Sequence, residues 1–335
     1  MFVSYLEEQV EKQEYRDQQG VVIVADCDHA SIDIEREVLR DVASEVRWLT
    51  CKTEDELIAQ CGDGVGLLIQ YAPMTRRVFE RLPRCRIVAR YGVGVDTIDA
   101  AAAADRGIVV SNVPDYGTNE VSDHALAMML CLTRKVPQAN ALVKRGQWDF
   151  RLMRPIYRHQ TQTIGIIGLG RIGRALAHKT HALGMKVIGC DPYADPASLP
   201  DYVTLAALET VLRQSDVVSV HCPLTEETRN LLDEPRLRLM KPSAYLVNTA
   251  RGHIVDEAAL DRLLAEKKLA GAAMDVLAVE PGPVGHPLFR HENFYCTPHM
   301  AWHSEESARE LKRKAAEEVR RVLRGEAPIY QVNKF

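Results

Sequence analysis

Residues Thr163 to Asp191 read TIGIIGLGRIGRALAHKTHALGMKVIGCD, and this stretch decides the fold. Ile164–Ile167 is a short apolar run that reads as a buried parallel strand. Gly168, Gly170 and Gly173 follow at the spacing G-x-G-x-x-G. A helical pattern then places Ile172, Leu176 and Leu183 on one side and stops at Gly184. A second strand, Lys186 to Cys190, ends at Asp191. The unit is a complete βαβ of about 30 residues, the context that a dinucleotide fingerprint requires. Gly168 makes the tight turn, Gly170 admits a pyrophosphate close to backbone, and Gly173 lets helix and strand pack closely. The helix N-terminus offers free N–H groups and positive dipole to phosphates.

Asp191 selects the dinucleotide. It stands 18 residues (191 − 173) beyond Gly173, at a strand end where a carboxylate accepts from both ribose hydroxyls. A 2′-phosphate there would meet like charge, and Pro192 and Tyr193 supply no Arg to offset it. The reading is NAD(H) rather than NADP(H).

Composition bounds the rest. A chain of 335 residues suggests two domains, and 46% hydrophobic residues are enough for real cores. A net charge of −4 gives no basic footprint for nucleic acid. The eight cysteines include no C-x-x-C, so neither a zinc module nor a disulfide framework is indicated. Cys190, Cys222 and Cys296 lie in apolar strand-like runs and are expected to be free, buried thiols. No apolar run approaches the ~18 residues of a membrane span. MFVSYLEEQVEKQEY lacks the basic and apolar regions of a secretory signal, so a reducing cytoplasm is expected.

Residues 1–20 are polar and read as a surface helix, an oligomer arm or a disordered lead. Strand-like runs at 21–26, 45–51, 66–70, 85–92 and 107–113 alternate with helical patterns at 32–43, 53–61, 75–82 and 97–106. Thr53 and Glu56 form a capping box. Such alternation means a parallel sheet covered on both faces. A long apolar helix is expected over Asn119–Val136. After Asp191, strands are read at 215–223, 243–251, 271–277 and 293–299, with a helix from Asp256 to Leu269. Residues 304–325 make a long amphipathic helix, whose length suggests a return across the domain boundary. The fold class is α/β: two parallel-sheet domains, Rossmann-like and flavodoxin-like, with the dinucleotide domain inserted into a discontinuous partner domain.

Open α/β sheets bind ligands beyond the carboxyl ends of their strands. Here Arg251 ends LVNTAR, Asp275 ends GAAMD, Glu280 follows in VLAVEP and His299 ends FYCTPH. Arg can grip a carboxylate with two parallel hydrogen bonds. His can donate a proton near neutral pH. A neighbouring Glu would orient the imidazole and stabilise its protonated form. A metal reading of His299 with His303, or of Asp26, Asp28 and His29, is weaker, because no ligand pattern accompanies either group. Trp302 reads as packing or as a pocket wall. The basic run 151–159 reads as an entry loop or part of an anion-attracting cleft.

RYGVGVDTID, GIIGLGRIG, HCPLTEET, LVNTARGHIVDE, AMDVLAVEP and CTPHMAWHSEE together make the chain resemble the D-isomer-specific 2-hydroxyacid dehydrogenases over roughly 21–335. Within that family it looks most like the branch of the C-terminal-binding-protein corepressors and their bacterial enzyme relatives. The resemblance implies Arg251 on the substrate carboxylate and carbonyl, Glu280 paired with the His, and His299 as proton donor. Substrate contacts are implied for Arg90, Val93, Gly94, Tyr71 and Trp302. Cofactor contacts are implied for Gly168, Leu169, Gly170, Arg171, Ile172, Gly173, Asp191, His221, Cys222, Pro223, Thr228, Thr249, Ala250, Asp275 and Thr118. His253 stands where the family usually has a small residue. The resemblance also implies domains at 1–113 with 301–335 and at 114–300, and a homodimer built on the second. The expected activity is NAD-dependent interconversion of a small anionic 2-hydroxy acid and its 2-oxo acid. The alternative is an NAD(H)-sensing, corepressor-like binding protein with the same fold.

Overall fold

A computed structural model describes residues 20–335. The sequence reading of 1–20 as helix, arm or lead lies outside the described residues except at Gly20, which opens the first strand. The chain divides into two compact units, one reaching Tyr116 and resuming at Ser304–Phe335, the other Gly117–His303.

The first unit runs β1 (Gly20–Val24), α1 (Asp33–Leu39), β2 (Ala43–Trp48), α2 (Glu54–Gln60), β3 (Gly64–Ile69), α3 (Arg76–Phe79), β4 (Ile87–Arg90), α4 (Ala100–Asp105) and β5 (Val109–Ser111). Its strands are all parallel, in the order β2-β1-β3-β4-β5. That is the flavodoxin-like order, which reverses direction between β1 and β3. The capping box of α2 is present in full: Thr53 accepts from the Glu56 N–H, and Glu56 accepts from the Thr53 N–H. The helix read over 32–43 ends at Leu39, because Ala43 already pairs with Gly20 as the start of β2.

The second unit opens with α5 (Thr118–Arg134) and α6 (Val136–Lys144). These replace the single helix read over 119–136. Lys135 takes a left-handed φ of 54°, and Pro137 follows in the first turn of α6. Pro137 has no N–H to give the Thr133 carbonyl four residues back, and its ring would clash with that carbonyl if α5 ran on, whereas the first turn of a new helix tolerates it, so the break is local chemistry. Then come β6 (Thr163–Ile167), α7 (Arg171–Ala182), β7 (Lys186–Cys190), β8 (Val203–Leu205), α8 (Leu208–Gln214), β9 (Val217–Val220), α9 (Glu234–Leu237), β10 (Tyr245–Asn248), α10 (Glu257–Ala265), β11 (Gly271–Met274) and β12 (Phe294–Cys296). The sheet is parallel, ordered β8-β7-β6-β9-β10-β11-β12. This is the dinucleotide-binding order with one strand added, and it reverses between β6 and β9.

Period-two alternation builds two cores on this sheet. Val218, Leu246, Ala272 and Met274 point into one, and Val217, Tyr245, Val247 and Ala273 into the other. Each fully buried Val or Leu contributes about 1.5–3 kcal/mol. Cutting Leu246 to Ala should cost roughly 2–5 kcal/mol, cavity included. The last helix, α11 (Glu305–Leu323), packs on α1, β3 and β4 within the first unit through Leu311, Ala315, Ala316 and Val319. The return read from its length is therefore a return to the first unit's own core.

All eight cysteines are unbonded, as expected. Their burial needs correction: Cys190 and Cys222 are half-buried, and Cys296 is exposed because it closes the edge strand β12. Among the described residues no helix is long and apolar enough to cross a membrane, and no cluster of metal-ligating side chains occurs.

Candidate active site

At the reversal of the second sheet, Gly168 has φ +94°, and a Cβ there would lie 2.6 Å from the Cys222 nitrogen. A Cβ on Gly173 would lie 2.0 Å from the Gly168 carbonyl oxygen, so helix α7 approaches β6 only because residue 173 has no side chain. A Cβ on Gly170 would meet nothing within 4 Å. The N-terminus of α7 has no side-chain cap, so the donors at Arg171, Ile172 and Gly173 face that open space. Asp191 Oδ2 accepts from Leu169 N–H at 2.8 Å, and Oδ1 accepts from Tyr193 N–H at 2.9 Å. These contacts tie the glycine loop to the end of β7 and leave the carboxylate further lone pairs.

His221 and Cys222 follow β9. Desolvation pushes the His221 imidazole down to about 4, and its Nε2 lies 2.8 Å from the Ser219 hydroxyl. Pro223 accepts from the Thr228 hydroxyl at 2.6 Å, which folds 223–228 into a tight turn. Thr249 Oγ1, beyond β10, is a buried hydroxyl without a protein partner. An uncapped helix end, an empty space over Gly170, a strand-end carboxylate and this hydroxyl fit a dinucleotide. Thr118 opens α5.

The acid–base group sits at the carboxyl ends of β10, β11 and β12. Asn248 accepts from Ala250 N–H and donates to the Arg251 carbonyl, closing a turn that carries the guanidinium. A Cβ on Gly252 would lie 2.0 Å from the Leu277 backbone, so the Arg251–Gly252 turn rests against the loop bearing Glu280. His299 Nδ1 lies 2.6 Å from Glu280 Oε2, both side chains about one-third exposed. A carboxylate accepts, so Nδ1–H is the donor and Nε2 is free for other work. Burial would raise the Glu280 carboxyl. The His299 hydrogen bond and charge, the Leu277 N–H and the Arg251 charge outweigh it and hold the carboxyl below its usual range. His253, the departure from the family pattern, is exposed. Trp302 stands against Gly117 and edge-on to His303, whose N–H donates to the Met300 carbonyl.

Asp275 is almost fully buried. It accepts from the Thr297 hydroxyl at 2.5 Å and from the Met300 and Ala301 N–H groups. His124 and Thr297, which the sequence reading passed over, touch this carboxylate.

In the first unit Arg90 ends β4, and its Nε donates to the Gln70 carbonyl at 3.2 Å. A Cβ on Gly92 would lie 2.1 Å from Arg90 Nη1, so the guanidinium crosses bare backbone. Val93 is exposed, and its carbonyl accepts from the Asn112 amide at 2.6 Å; Gly94 follows it. Asp26, read as part of a possible metal group, instead accepts from the Gln70, Tyr71 and Ala72 N–H groups at 2.6–3.0 Å. Tyr71 is thereby held at the end of β3, with its hydroxyl donating to Asp28.

A doubly wound nucleotide-binding unit that also carries a His–Glu pair and an Arg defines a dinucleotide-dependent oxidoreductase. The comparisons agree. The sequence model for "D-isomer specific 2-hydroxyacid dehydrogenase, NAD binding domain" matches residues 126–301, just over half the chain. A glyoxylate reductase of Korarchaeum cryptofilum is 39% identical over 83% of this chain and 85% of its own. A D-3-phosphoglycerate dehydrogenase of Methanocaldococcus jannaschii is 36% identical over 88% of this chain, which spans 56% of that longer protein. A D-lactate dehydrogenase from Aquifex aeolicus, solved with NAD and lactic acid, superposes with a TM-score of 0.82 at 26% identity, covering 91% of this chain and 96% of that one. The chain belongs to the D-isomer specific 2-hydroxyacid dehydrogenase family and is an NAD-dependent enzyme of that family. The relatives carry enzyme names, which does not favour the corepressor-like alternative.

Proposed function

We propose that the chain reduces a small 2-oxo acid of the glyoxylate or hydroxypyruvate class to its 2-hydroxy acid, the D isomer where C2 becomes a stereocentre, and catalyses the reverse reaction. The 2.6 Å His299–Glu280 pair beside the Arg251 turn, on the sheet that bears the glycine fingerprint, is the observation that carries this reading. The cofactor supplies hydride to the carbonyl carbon. Arg251 binds the carboxylate and polarises the carbonyl. As negative charge develops on the carbonyl oxygen, His299 Nε2 delivers a proton to it, and Glu280 stabilises the imidazolium while fixing its ring. Arg90, with the Val93–Gly94 backbone and Tyr71, supplies further grip on the acid; Trp302 walls the pocket.

Gly168–Gly173 would hold the pyrophosphate and Asp191 the ribose. His221, Cys222, Pro223 and Thr228, with Thr118, Thr249, Ala250 and Asp275, would border the rest of the dinucleotide. The second unit then serves as the NAD domain, divided in the sequence at 114–300, and 1–113 with 301–335 as the substrate domain. Eight unpaired thiols favour a reducing cytoplasm.

A homodimer is part of the proposal. Trp148, Phe150, Leu152 and Tyr157 are each more than half exposed, an apolar concentration unusual for a monomer surface. Leu152 and Tyr157 also line a groove of ≈ 1120 Å³ with residues such as Pro137, Leu142, Tyr245 and Tyr295. A second copy would cover this face, and Trp148→Glu should give a monomer in analytical ultracentrifugation. Sedimentation of the wild type as a monomer would rule it out.

The activity is tested by NADH oxidation against glyoxylate, hydroxypyruvate, phosphohydroxypyruvate and pyruvate, with His299→Ala alongside. Turnover should appear with one of the first two. General acid–base assistance is worth about 10²–10⁴-fold, so His299→Ala should lose that much kcat with NADH binding intact. No turnover with any 2-oxo acid would sink the proposal.

A further inference from the structure

We propose that His124, acting through Thr297 and Asp275, is a positioning residue for His299. This rests on the reading of His299 as proton donor and adds to it a device that aims the imidazole. His299 has φ +52°, a conformation that residues other than glycine adopt rarely and keep only where neighbours enforce it. The enforcement is visible. The His299 N–H donates to the Asp275 carbonyl at 2.8 Å, while the Met300 and Ala301 N–H groups donate to the Asp275 carboxylate at 3.0 and 2.8 Å. One buried aspartate thus holds three successive residues of the turn.

Asp275 is held in its own place from the other side. Thr297 Oγ1 lies 2.5 Å from Asp275 Oδ1 and 2.9 Å from His124 Nε2. A hydroxyl has one proton. Asp275 already receives backbone donors on both oxygens, the pattern of an acceptor, so Thr297 donates to it. Thr297 must then accept from His124, which fixes the proton of His124 on Nε2. His124 Nε2 also lies 3.6 Å from Asp275 Oδ1. His124 is anchored on α5, which packs on β10 and β11. His124 and Thr297 therefore set where His299 stands by way of Asp275, without themselves touching substrate, cofactor or reacting atoms.

The test uses the full-length protein, NADH and glyoxylate or hydroxypyruvate, whichever turns over. Thr297→Val keeps shape but removes the hydroxyl. We expect kcat to fall about 10-fold or more, the scale seen when an outer partner of a site residue is lost, as at metal centres. KM and NADH affinity should stay within about 2-fold, since only transition-state geometry is disturbed. Thr297→Ser should restore the rate, and His124→Phe should reproduce the loss. The decisive arm is a double-mutant cycle. In a His299→Ala background, Thr297→Val should cost nothing further, because it acts only through that imidazole. A wild-type kcat in both Thr297→Val and His124→Phe would overturn the inference, as would full additivity in the cycle or failure of Thr297→Ser to restore the rate. If Thr297→Val does not fold, His124→Phe with the same cycle decides alone. Nearly full turnover in His299→Ala would instead sink the reading of His299 itself, so the two failures are distinguishable.

Discussion

The two units build their sheets by the same rule and use the mouth of the sheet in opposite ways. Each parallel sheet reverses direction once, between β1 and β3 in the first unit and between β6 and β9 in the second. Strand ends at such a reversal gather backbone N–H groups that call for an anion. In the first unit the chain answers with its own anion: Asp26 receives three N–H groups from residues 70–72. In the second the equivalent loop keeps glycines at 168, 170 and 173, leaves α7 uncapped and leaves space above Gly170. A self-satisfied mouth makes a rigid loop that displays a side chain, here Tyr71. An unsatisfied mouth makes a ligand site.

The contrast predicts effects of different kind and size. Gly173→Ala forces a Cβ to 2.0 Å from the Gly168 carbonyl oxygen, a backbone atom that cannot swing aside as a flexible side chain would. It should weaken NADH binding by about 100-fold or more, roughly 2.8 kcal/mol, in a fluorescence titration. Arg251→Lys should lower kcat/KM by roughly 10²-fold, because an ammonium cannot reproduce the two-pronged grip of a guanidinium. A near-normal Lys variant would remove Arg251 from its role. Arg90→Ala should mainly raise KM.

Asp26→Ala tests the first unit. It orphans three buried or half-buried N–H groups at about 1–3 kcal/mol each when fully buried. The melting temperature should fall and KM for the acid should rise, while NADH affinity stays unchanged. An equal loss of NADH binding would break the contrast between the two mouths. The smallest effect is expected at Asp191, where the Ala variant should narrow the preference for NADH over NADPH without abolishing turnover. Equal efficiency with both cofactors in the wild type would contradict the sequence reading of that carboxylate.

The same contrast explains what the sequence disclosed. Glycines at fixed spacing between two strands have almost no other use, so β6, α7 and β7 were legible to within a residue or two. Likewise Thr53 and Glu56 announced α2 because a capping box is a local contact. Asp26 was visible only as an acid among acids, since its partners lie 44 to 46 residues away. His124 was hidden for the same reason, with Thr297 separated from it by 173 residues. The three-residue β8 has too little pattern to show a period. Pro137 did carry a signal, a helix break near 135, which the apolar run through Val136 obscured. Cys296 looked buried because its neighbours are apolar, but exposure at a sheet edge is a property of strand order, not of strand composition.

The central claim is that His299 gives up a proton while Glu280 stabilises its charged form. Glu280 is held below the ordinary carboxylate range by His299 and Arg251 despite its burial, so it stays ionised throughout the neutral region. Reduction needs the protonated imidazole, so kcat/KM for the 2-oxo acid should fall as pH rises. Oxidation of the hydroxy acid should show the opposite limb. Glu280→Gln removes the negative charge 2.6 Å from Nδ1 and makes the protonated ring less favourable. The direct measurement is kcat/KM against pH, in both directions, for wild type and Glu280→Gln. The account predicts that both limbs move to lower pH in the variant; limbs that stay in place would contradict it.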